Sequence, residues 1–341
     1  MSKIFVTGAA GFIGSAFVRL LLQELPTAEI INFDALTYAG NLDNLQGLDE
    51  SRHHFVHGNI ADPEKVLDAL PENADAIVNF AAESHVDRSI ANAAEFLQTN
   101  ITGTQVLLDA ARARGAKRFI QVSTDEVMGS LPEDDNAFFT ESSPFEPNSP
   151  YAASKAAAEH LVRAAHHTFG LDTVVTRCGN NYGPRQFPEK FLPLVLSNAL
   201  SDQSIPVYGD GLNVRDWIYV DDHCRAIFMA MQNGESGAIY NIGARNERRN
   251  IDVVESLLET VGKPRSLIRY VKDRPGHDRR YAIDPTRIET ELGWKPRETW
   301  RSGLEKTIQW YRDNTLWLER TRSGAYQDYY REQYGAEVAA R

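Results

Sequence analysis

The chain has 341 residues, 42% of them hydrophobic and 24% charged, a composition typical of a globular protein long enough for more than one compact unit. Its formal net charge of -11 disfavours nucleic acid and anionic membranes as partners. The sequence has no basic-then-apolar leader and no apolar run of about 18 residues. We therefore expect a cytoplasmic protein, with Cys178 and Cys224 buried as small apolar side chains.

The first 14 residues predict a strand, a glycine-rich turn and the start of a helix. Residues 3–7 are an apolar run rich in β-branched side chains, and Gly8, Gly11 and Gly14 follow at the spacing GxxGxxG. In such a unit the glycines allow a tight turn and a close approach of the backbone to a pyrophosphate, whose charge the helix N-terminus attracts. A glycine triplet alone is equally consistent with a simple tight turn, so its weight depends on the next strand.

The next predicted strand, residues 30–33, ends at Asp34, 20 residues after Gly14. An acidic side chain at this point can accept both hydroxyl protons of an adenosine ribose. No Arg or Lys adjoins Asp34, so the additional phosphate of NADP would meet repulsion without a compensating cation. The pattern therefore predicts NAD as the cofactor.

Strands and helices alternate through the first half of the chain, as a doubly wound parallel sheet of the Rossmann type requires. Further strands are predicted at 55–60, 76–80, 118–122 and 173–177, and the longest helices at 91–114 and 151–169. After residue 178 Pro and Gly become frequent, which indicates a smaller, loop-rich C-terminal region laid over the strand ends. We predict an α/β fold with an NAD-binding domain at 1–177, a return segment at about 214–243, a discontinuous substrate domain at 178–213 and 244–330, and a tail at 331–341.

Proton-transfer side chains are expected together at the end of the fifth strand. Tyr151 and Lys155, four residues apart, project from one face of a helix, and Asp125 and Glu126 add two carboxyl groups. The Lys155 ammonium is expected to lower the pKa of Tyr151 and favour its phenolate form. Taken alone, a Tyr-x-x-x-Lys pair occurs by chance on helix surfaces, and two carboxylates can simply begin a solvated helix.

Several blocks of the sequence resemble the extended short-chain dehydrogenase/reductases that act on nucleotide sugars, and most closely the dTDP-glucose 4,6-dehydratase family. The resemblance covers about residues 1–310, with matching blocks at 7–14, 81–89, 123–127, 180–184, 208–211, 214–217 and 273–281. Asn59 and Met128 depart from the family pattern, in which Asp and Tyr are usual. The Asn59 amide oxygen can still accept a hydrogen bond from an adenine amino group.

The resemblance implies a lyase that converts dTDP-glucose to dTDP-4-keto-6-deoxyglucose and water with tightly bound NAD, in deoxysugar biosynthesis. Tyr151 would take the proton of sugar O4, Glu126 the proton of C5, and Asp125 would protonate the leaving C6 hydroxyl. Thr124 and Lys155 complete the implied catalytic set. The resemblance also implies a homodimer that pairs through the helices near 91–114 and 151–169.

The resemblance also carries over binding residues position by position, with no metal ligand among them. The residues implied to hold NAD are Gly8, Gly11, Phe12, Ile13, Gly14, Asp34, Thr37, Asn59, Ile60, Ala81, Ala82, Thr99, Tyr151 and Lys155. The residues implied to bind the nucleotide sugar are Ser84, His85, Thr124, Asn180, Lys190, Tyr208, Arg215, Asn250, Arg274 and His277. Among these, arginine can form bidentate bonds to a diphosphate and tyrosine can stack on a base.

Two other functions stay open at this point. Nucleotide-sugar 4-epimerases and UDP-glucuronate decarboxylases share the glycine turn and the Tyr–Lys pair but need no acid and base at C5 and C6, so Asp125 and Glu126 disfavour them. A regulatory protein that binds the cofactor without catalysis would be expected to lack Tyr151, Lys155 or Glu126, and all three are present. The choice of thymine over uracil depends on one methyl group, worth on the order of 1–3 kcal/mol, and is less strongly predicted than the sugar chemistry.

Overall fold

The computed structural model describes residues 2–133 and 136–322, so the predicted tail at 331–341 lies outside the described residues. The strands in these ranges are β1 (Lys3–Thr7), β2 (Glu29–Asp34), β3 (His53–His57), β4 (Ala76–Asn79), β5 (Phe119–Thr124), β6 (Thr173–Cys178), β7 (Asn180–Tyr182), β8 (Ile205–Tyr208), β9 (Val214–Tyr219), β10 (Ile239–Ile242), β11 (Glu247–Arg249) and β12 (Ile268–Val271). The α-helices are α1 (Phe12–Glu24), α2 (Pro63–Ala69), α3 (Val86–Ala91), α4 (Ala94–Phe96), α5 (Thr104–Ala113), α6 (Pro150–Phe169), α7 (Phe191–Leu200), α8 (Val220–Asn233), α9 (Asn250–Val261), α10 (Thr286–Leu292), α11 (Trp300–Asp313) and α12 (Thr315–Arg322). None of these helices is long and apolar enough to cross a membrane.

Seven parallel strands form the main sheet, in the order β10-β6-β5-β4-β1-β2-β3. Helices α1 and α8 cover one face, and α2, α5 and α6 cover the other. This arrangement confirms the predicted doubly wound Rossmann fold. The strand order reverses between β1 and β4, and in such sheets the carboxyl ends of the strands at that point form a crevice for a ligand.

Two elements of the first half differ from the sequence-based prediction. The third strand is β3, which ends at His57 instead of continuing to residue 60. The helix predicted at 91–114 begins at Ala94 and contains a π-helical segment, Leu97–Gly103. Within that segment the Asn100 amide donates to the Glu83 carbonyl oxygen (3.0 Å) and to Ser154 Oγ (2.8 Å). These contacts join residues that are far apart in the sequence, so helix signals in the neighbouring residues cannot predict the π-helical segment.

The second half of the chain builds two small sheets. Residues 214–219 form β9, which pairs with β7 and β11 in a three-stranded sheet. The reason is packing, because Trp217 and Tyr219 of β9 belong to a second core with Tyr182 and Trp300. From the segment 214–243, helix α8 packs on the main sheet and β10 forms its edge. The other small sheet pairs β8 with β12 in parallel.

A buried ion pair joins α6 to the strands that carry the site. Arg177 Nη2 of β6 donates to Glu159 Oε2 at 2.9 Å, and both side chains are at most 2% exposed. Ser123 Oγ of β5 donates to Glu159 Oε1 at 2.6 Å. Tyr151 and Lys155 lie at four-residue spacing before Glu159, on the same face of α6. The ion pair therefore holds this face against the end of β5.

We expect Glu159→Gln to lower the free energy of unfolding by roughly 3–5 kcal/mol, because it leaves the Arg177 guanidinium buried without a counter-charge. The matched control is Asp109→Asn, since Asp109 pairs with Arg112 at 3.6 Å in a solvent-exposed position. Exposed pairs contribute about 0–1 kcal/mol. Chemical denaturation followed by circular dichroism measures both changes, and equal losses in the two variants would contradict the role given to the buried pair.

Candidate active site

The turn between β1 and α1 is packed too tightly for side chains. A Cβ atom on Gly14 would lie 2.4 Å from the Gly8 carbonyl oxygen, and one on Gly8 would lie 2.6 Å from the Ala81 backbone nitrogen. Gly8 also has a φ of +66°, which favours glycine. The turn therefore brings bare backbone and the N-terminus of α1 to the cleft, an arrangement that fits the pyrophosphate of a dinucleotide.

The carboxylate of Asp34 lies at the end of β2, directly against the glycine turn. Its Oδ2 accepts a hydrogen bond from the Ala10 N–H (2.9 Å), and its Oδ1 accepts one from the Leu36 N–H (2.8 Å). Burial raises the pKa of Asp34, and these two N–H groups counteract the rise. Each oxygen of a carboxylate can accept a second hydrogen bond. The position and its chemistry fit the ribose hydroxyl groups of NAD.

One cleft of about 1580 Å³, including its open mouth, runs along the strand ends. All fourteen residues that the sequence assigns to NAD line it, from the glycine turn through Asp34 to Tyr151 and Lys155. The lining also includes Thr124, Asp125, Glu126, Ser84, Asn180 and Lys190 from the predicted catalytic and substrate sets. The structure thus brings the predicted cofactor residues and the predicted proton-transfer groups into one space.

Local sequence signals position the catalytic side chains. Ser149 Oγ accepts a hydrogen bond from the Ala152 N–H (3.1 Å) and caps α6, and Pro150 occupies the first helical position. Tyr151 follows at once and lies on the buried face of the helix. Thr124 ends β5 and caps the short 3₁₀ turn Asp125–Met128 by accepting from the Glu126 N–H (3.3 Å). Asp125 and Glu126 are therefore the first two residues of a turn that directly follows β5.

Burial controls the ionisation of the Tyr–Lys pair. Lys155 Nζ donates to the Val122 carbonyl oxygen (2.7 Å), and burial lowers the pKa of Lys155 to about 8, opposed by the charge of Glu159. Burial also raises the pKa of Tyr151 well above 10, reinforced by the charge of Glu126. The expected lowering of the Tyr151 pKa by Lys155 is therefore outweighed by the exclusion of water. A positive charge bound in the cleft would act against this rise.

The two adjacent carboxyl groups lie in different electrostatic surroundings. Asp125 is 2% exposed, and burial together with the charge of Glu126 raises the pKa of Asp125 well above its usual range. Its Oδ1 accepts from Thr124 Oγ1 (3.2 Å), and its Oδ2 is buried without a hydrogen-bond partner among the described residues. Burial also raises the pKa of Glu126, but that rise is opposed by the positive charges of Arg274, Arg215 and Lys190. These surroundings favour a protonated Asp125, while the three cations limit the rise in the pKa of Glu126.

Most of the other predicted substrate residues lie in or next to the strands of the two small sheets. Tyr208 ends β8, and its ring centroid lies 6.1 Å from that of His277, which follows β12. Burial lowers the pKa of His277 to about 4 and that of His85 well below its usual range, so both imidazoles are neutral near pH 7. Asn250 begins α9, where its N–H donates to the Asn213 carbonyl oxygen (2.9 Å), and its substrate role stays a prediction.

Sequence reasoning missed several residues that the fold brings to this region. Glu83, Asn181, Gln186 and Phe187 also line the cleft. Asp87 accepts hydrogen bonds from two predicted substrate residues, Tyr208 and Arg274. Glu83 and Asp87 lie inside the block 81–89, and that block was the only signal that could have drawn attention to them.

Comparisons with known proteins agree with this geometry. The family model described as GDP-mannose 4,6 dehydratase matches residues 5–307. A dTDP-glucose 4,6-dehydratase of Shigella flexneri is 49% identical over 357 aligned positions, which cover 97% of this chain and 99% of the relative. The crystal structure of DesIV, a dTDP-glucose 4,6-dehydratase from Streptomyces venezuelae with NAD and dTDP bound, is 50% identical, with a TM-score of 0.90 over 94% of this chain and 99% of its own.

A protein with a different reaction has nearly the same fold. The UDP-glucose 4-epimerase of Thermus thermophilus, solved with NAD, is 29% identical, with a TM-score of 0.84 over 92% of this chain and 99% of its own. The family model and the dehydratases at about 50% identity match almost the whole chain. They identify the family more specifically than the shared fold of the epimerase does. The chain therefore belongs to the GDP-mannose 4,6 dehydratase family, and within it to the dTDP-glucose 4,6-dehydratases.

Proposed function

We propose that this chain is an NAD-dependent lyase that converts dTDP-glucose to dTDP-4-keto-6-deoxyglucose and water. The observation that carries the proposal is the pair formed by the buried Asp125 and the half-buried Glu126 at the end of β5, in the same cleft as Tyr151. An epimerase needs the Tyr–Lys pair but has no use for an acid and a base at adjacent carbons. The near full-length similarity to dTDP-glucose 4,6-dehydratases supports the same assignment.

The first part of the reaction is an oxidation at C4 of the glucose ring. Bound NAD would supply the acceptor for the C4 hydride and, once reduced, the donor of a hydride to C6. The positive charge of bound NAD would oppose the raised pKa of Tyr151 and favour its phenolate, which takes the proton of the C4 hydroxyl while Thr124 Oγ1 binds that hydroxyl. Lys155, on the same helical face, holds the nicotinamide ribose. The product of this step is a sugar with a ketone at C4.

The second part is an elimination of water across C5 and C6. The C4 ketone makes the neighbouring C5 proton acidic, and the Glu126 carboxylate removes it. Asp125, kept protonated by burial, gives its proton to the C6 hydroxyl as that group leaves. Glu126 then returns a proton to C5 while the hydride reaches C6. The sugar ends with one water fewer and no net change in redox state.

The nucleotide end of the substrate would lie against the second half of the chain. Arg215 and Arg274 offer guanidinium groups for the diphosphate, and Tyr208 offers a ring for the base. This placement accords with the predicted division into an NAD-binding domain and a discontinuous substrate domain. That division, like the cytoplasmic location, stays a prediction.

The direct test is to incubate the purified protein with dTDP-glucose and, separately, with UDP-glucose. We expect a 4-keto-6-deoxy product from dTDP-glucose, with slower turnover of the uridine analogue. Because the hydride removed from C4 returns to C6, added NAD should not be consumed as product accumulates. The formation of a C4 epimer without loss of water, or steady release of reduced cofactor, would contradict the dehydratase assignment.

Substitutions in the carboxylate pair should separate oxidation from elimination. Glu126→Gln keeps size and hydrogen bonding but cannot take the C5 proton, so substrate should still reduce the bound cofactor while kcat for product falls by about 100-fold or more. Asp125→Asn should have a similar but milder effect, because water can partly replace an acid. Tyr151→Phe should stop both steps.

Absorbance of the reduced nicotinamide and chromatography of the sugar product read the two steps separately. The Tyr151→Phe variant is the matched control, since it shares the site but blocks the first step. Turnover of Glu126→Gln at nearly the parent rate would mean that the two carboxylates only begin a helical turn, and the epimerase interpretation would then be preferred.

We also propose that the enzyme is a homodimer that pairs through the helices near residues 91–114 and 151–169. Ile90 and Leu97 are 42% and 48% exposed, and large apolar side chains on a helix surface favour burial in an interface. Sedimentation at micromolar concentration should give twice the mass of one chain, and Leu97→Glu should shift it towards a single chain. Leu316→Glu, at an exposed leucine of α12, is the control and should stay dimeric. A single-chain mass for the parent protein would contradict the proposal.

A further inference from the structure

A carboxylate that the mechanism does not use lies between the two regions of the molecule. Asp87 is in the first turn of α3, and its side chain is 11% exposed. Asp87 Oδ2 accepts a hydrogen bond from Tyr208 Oη at 3.0 Å, and Asp87 Oδ1 accepts one from Arg274 Nη1 at 3.4 Å. One carboxylate on the Rossmann side therefore holds two side chains of the second half of the chain.

Tyr208 lies at the carboxyl end of the small sheet of β8 and β12, and Arg274 lies just after that end. Tyr208 is the last residue of β8, its register partner Val271 is the last residue of β12, and Arg274 follows three positions later. Both strands end at this point, and the Asp87 carboxylate holds these two side chains from outside the sheet.

A second ion pair, between Arg88 and Glu189, holds α3 in place. Arg88 Nη2 donates to Glu189 Oε2 at 3.0 Å, and the Glu189 side chain is fully buried. The guanidinium of Arg88 also lies 4.1 Å from the centre of the Tyr38 ring. Asp87 and Arg88, adjacent in α3, thus each pair with a residue of opposite charge. The two ion pairs together fix the position of Asp87 relative to the small sheet.

Arg274 has more than one carboxylate within electrostatic reach. Burial opposes its charge, but the charges of Asp87 and Glu126 leave the pKa of Arg274 raised. Asp87 is the carboxylate that makes the direct contact. A guanidinium bound by one carboxylate oxygen keeps further N–H groups that can bind a phosphate. The contact with Asp87 therefore orients Arg274 without using all its donors.

We propose that Asp87 is a positioning residue for nucleotide recognition, whose carboxylate orients the Tyr208 ring for the base and the Arg274 guanidinium for the diphosphate of the substrate. This inference rests on the proposed function, because it takes those two side chains as the nucleotide contacts. Asp87 does not touch the groups that react at C4, C5 and C6. Its removal should therefore weaken binding of the substrate far more than it slows the chemical steps.

The test measures steady-state kinetics with dTDP-glucose and calorimetric binding of dTDP itself. Asp87→Ala should raise both KM and the Kd of dTDP by about 10- to 100-fold, the range for losing hydrogen bonds to a charged group. kcat should stay within about threefold of the parent. Asp87→Asn keeps one acceptor oxygen, so its KM and Kd should lie between those of the parent and those of Asp87→Ala. The control Asp252→Ala removes an exposed carboxylate paired with Arg249 at 2.7 Å and should leave both constants unchanged.

A double-mutant cycle distinguishes positioning from general damage. If Asp87 acts through Tyr208, then Asp87→Ala should cost less affinity in a Tyr208→Phe background than in the parent. Full additivity, an unchanged Kd for dTDP, or a fall in kcat without a change in KM would overturn the inference. Should Asp87→Ala fail to fold, Asp87→Asn gives the same comparison. If the parent binds dTDP but forms no dehydrated sugar, the proposed function fails while the calorimetric arm still decides the role of Asp87.

Discussion

The placement of the reacting groups depends on the buried ion pair between Glu159 and Arg177. A carboxylate and a guanidinium without water are tolerated only when each satisfies the other, and here Ser123 Oγ adds a further hydrogen bond to Glu159. Arg177 is the register partner of Ser123 in β5 and β6, while Glu159 lies one helical turn after Lys155. The pair therefore fixes the Tyr–Lys helix against the strand end. Arg177 Nη1 also donates a hydrogen bond to Met128 Sδ at 3.5 Å. The 3₁₀ turn that carries Asp125 and Glu126 therefore also contacts this ion pair.

Exclusion of water is the second constraint, and it gives neighbouring carboxyl groups different properties. Asp125 has a buried oxygen without a partner among the described residues, and burial keeps its proton in place. Glu126 is one residue further, where three cations oppose the effect of burial on its pKa. A site that holds two carboxyl groups in unlike surroundings can supply an acid and a base at the same pH. The cations that support Glu126 include Arg274 and Arg215, the two guanidinium groups proposed for the diphosphate, so one set of charges serves both ends of the substrate.

Local signals in the sequence were sufficient for the elements that build the cofactor cleft. The glycine turn, Asp34 at the end of β2, and the start of α6 depend on neighbouring residues, and each is found within one residue of its predicted place, with α6 beginning at Pro150 instead of residue 151. The pairing of β9 depends instead on aromatic side chains from distant segments, and the π-helical segment follows contacts of Asn100 across 17 and 54 positions. Asp87 was missed for the same reason, since its partners lie 121 and 187 positions away. The sequence alone does not bring such residues together, and only the fold does.

The arrangement also explains how one fold serves different reactions on nucleotide sugars. In the proposed mechanism the glycine turn and the Tyr–Lys pair serve the binding of the dinucleotide and the oxidation of a sugar hydroxyl. The two residues proposed to direct the oxidised sugar to dehydration occupy the 3₁₀ turn after β5 and form no part of the main sheet. Their replacement can therefore change the reaction while the architecture stays the same. The proposed nucleotide contacts Tyr208 and Arg274 lie at the end of the small sheet of β8 and β12, where both are hydrogen-bonded to Asp87 of α3. The two sets belong to different elements but share the charges of Arg274 and Arg215, so a change in the nucleotide contacts would also alter the electrostatic surroundings of Glu126.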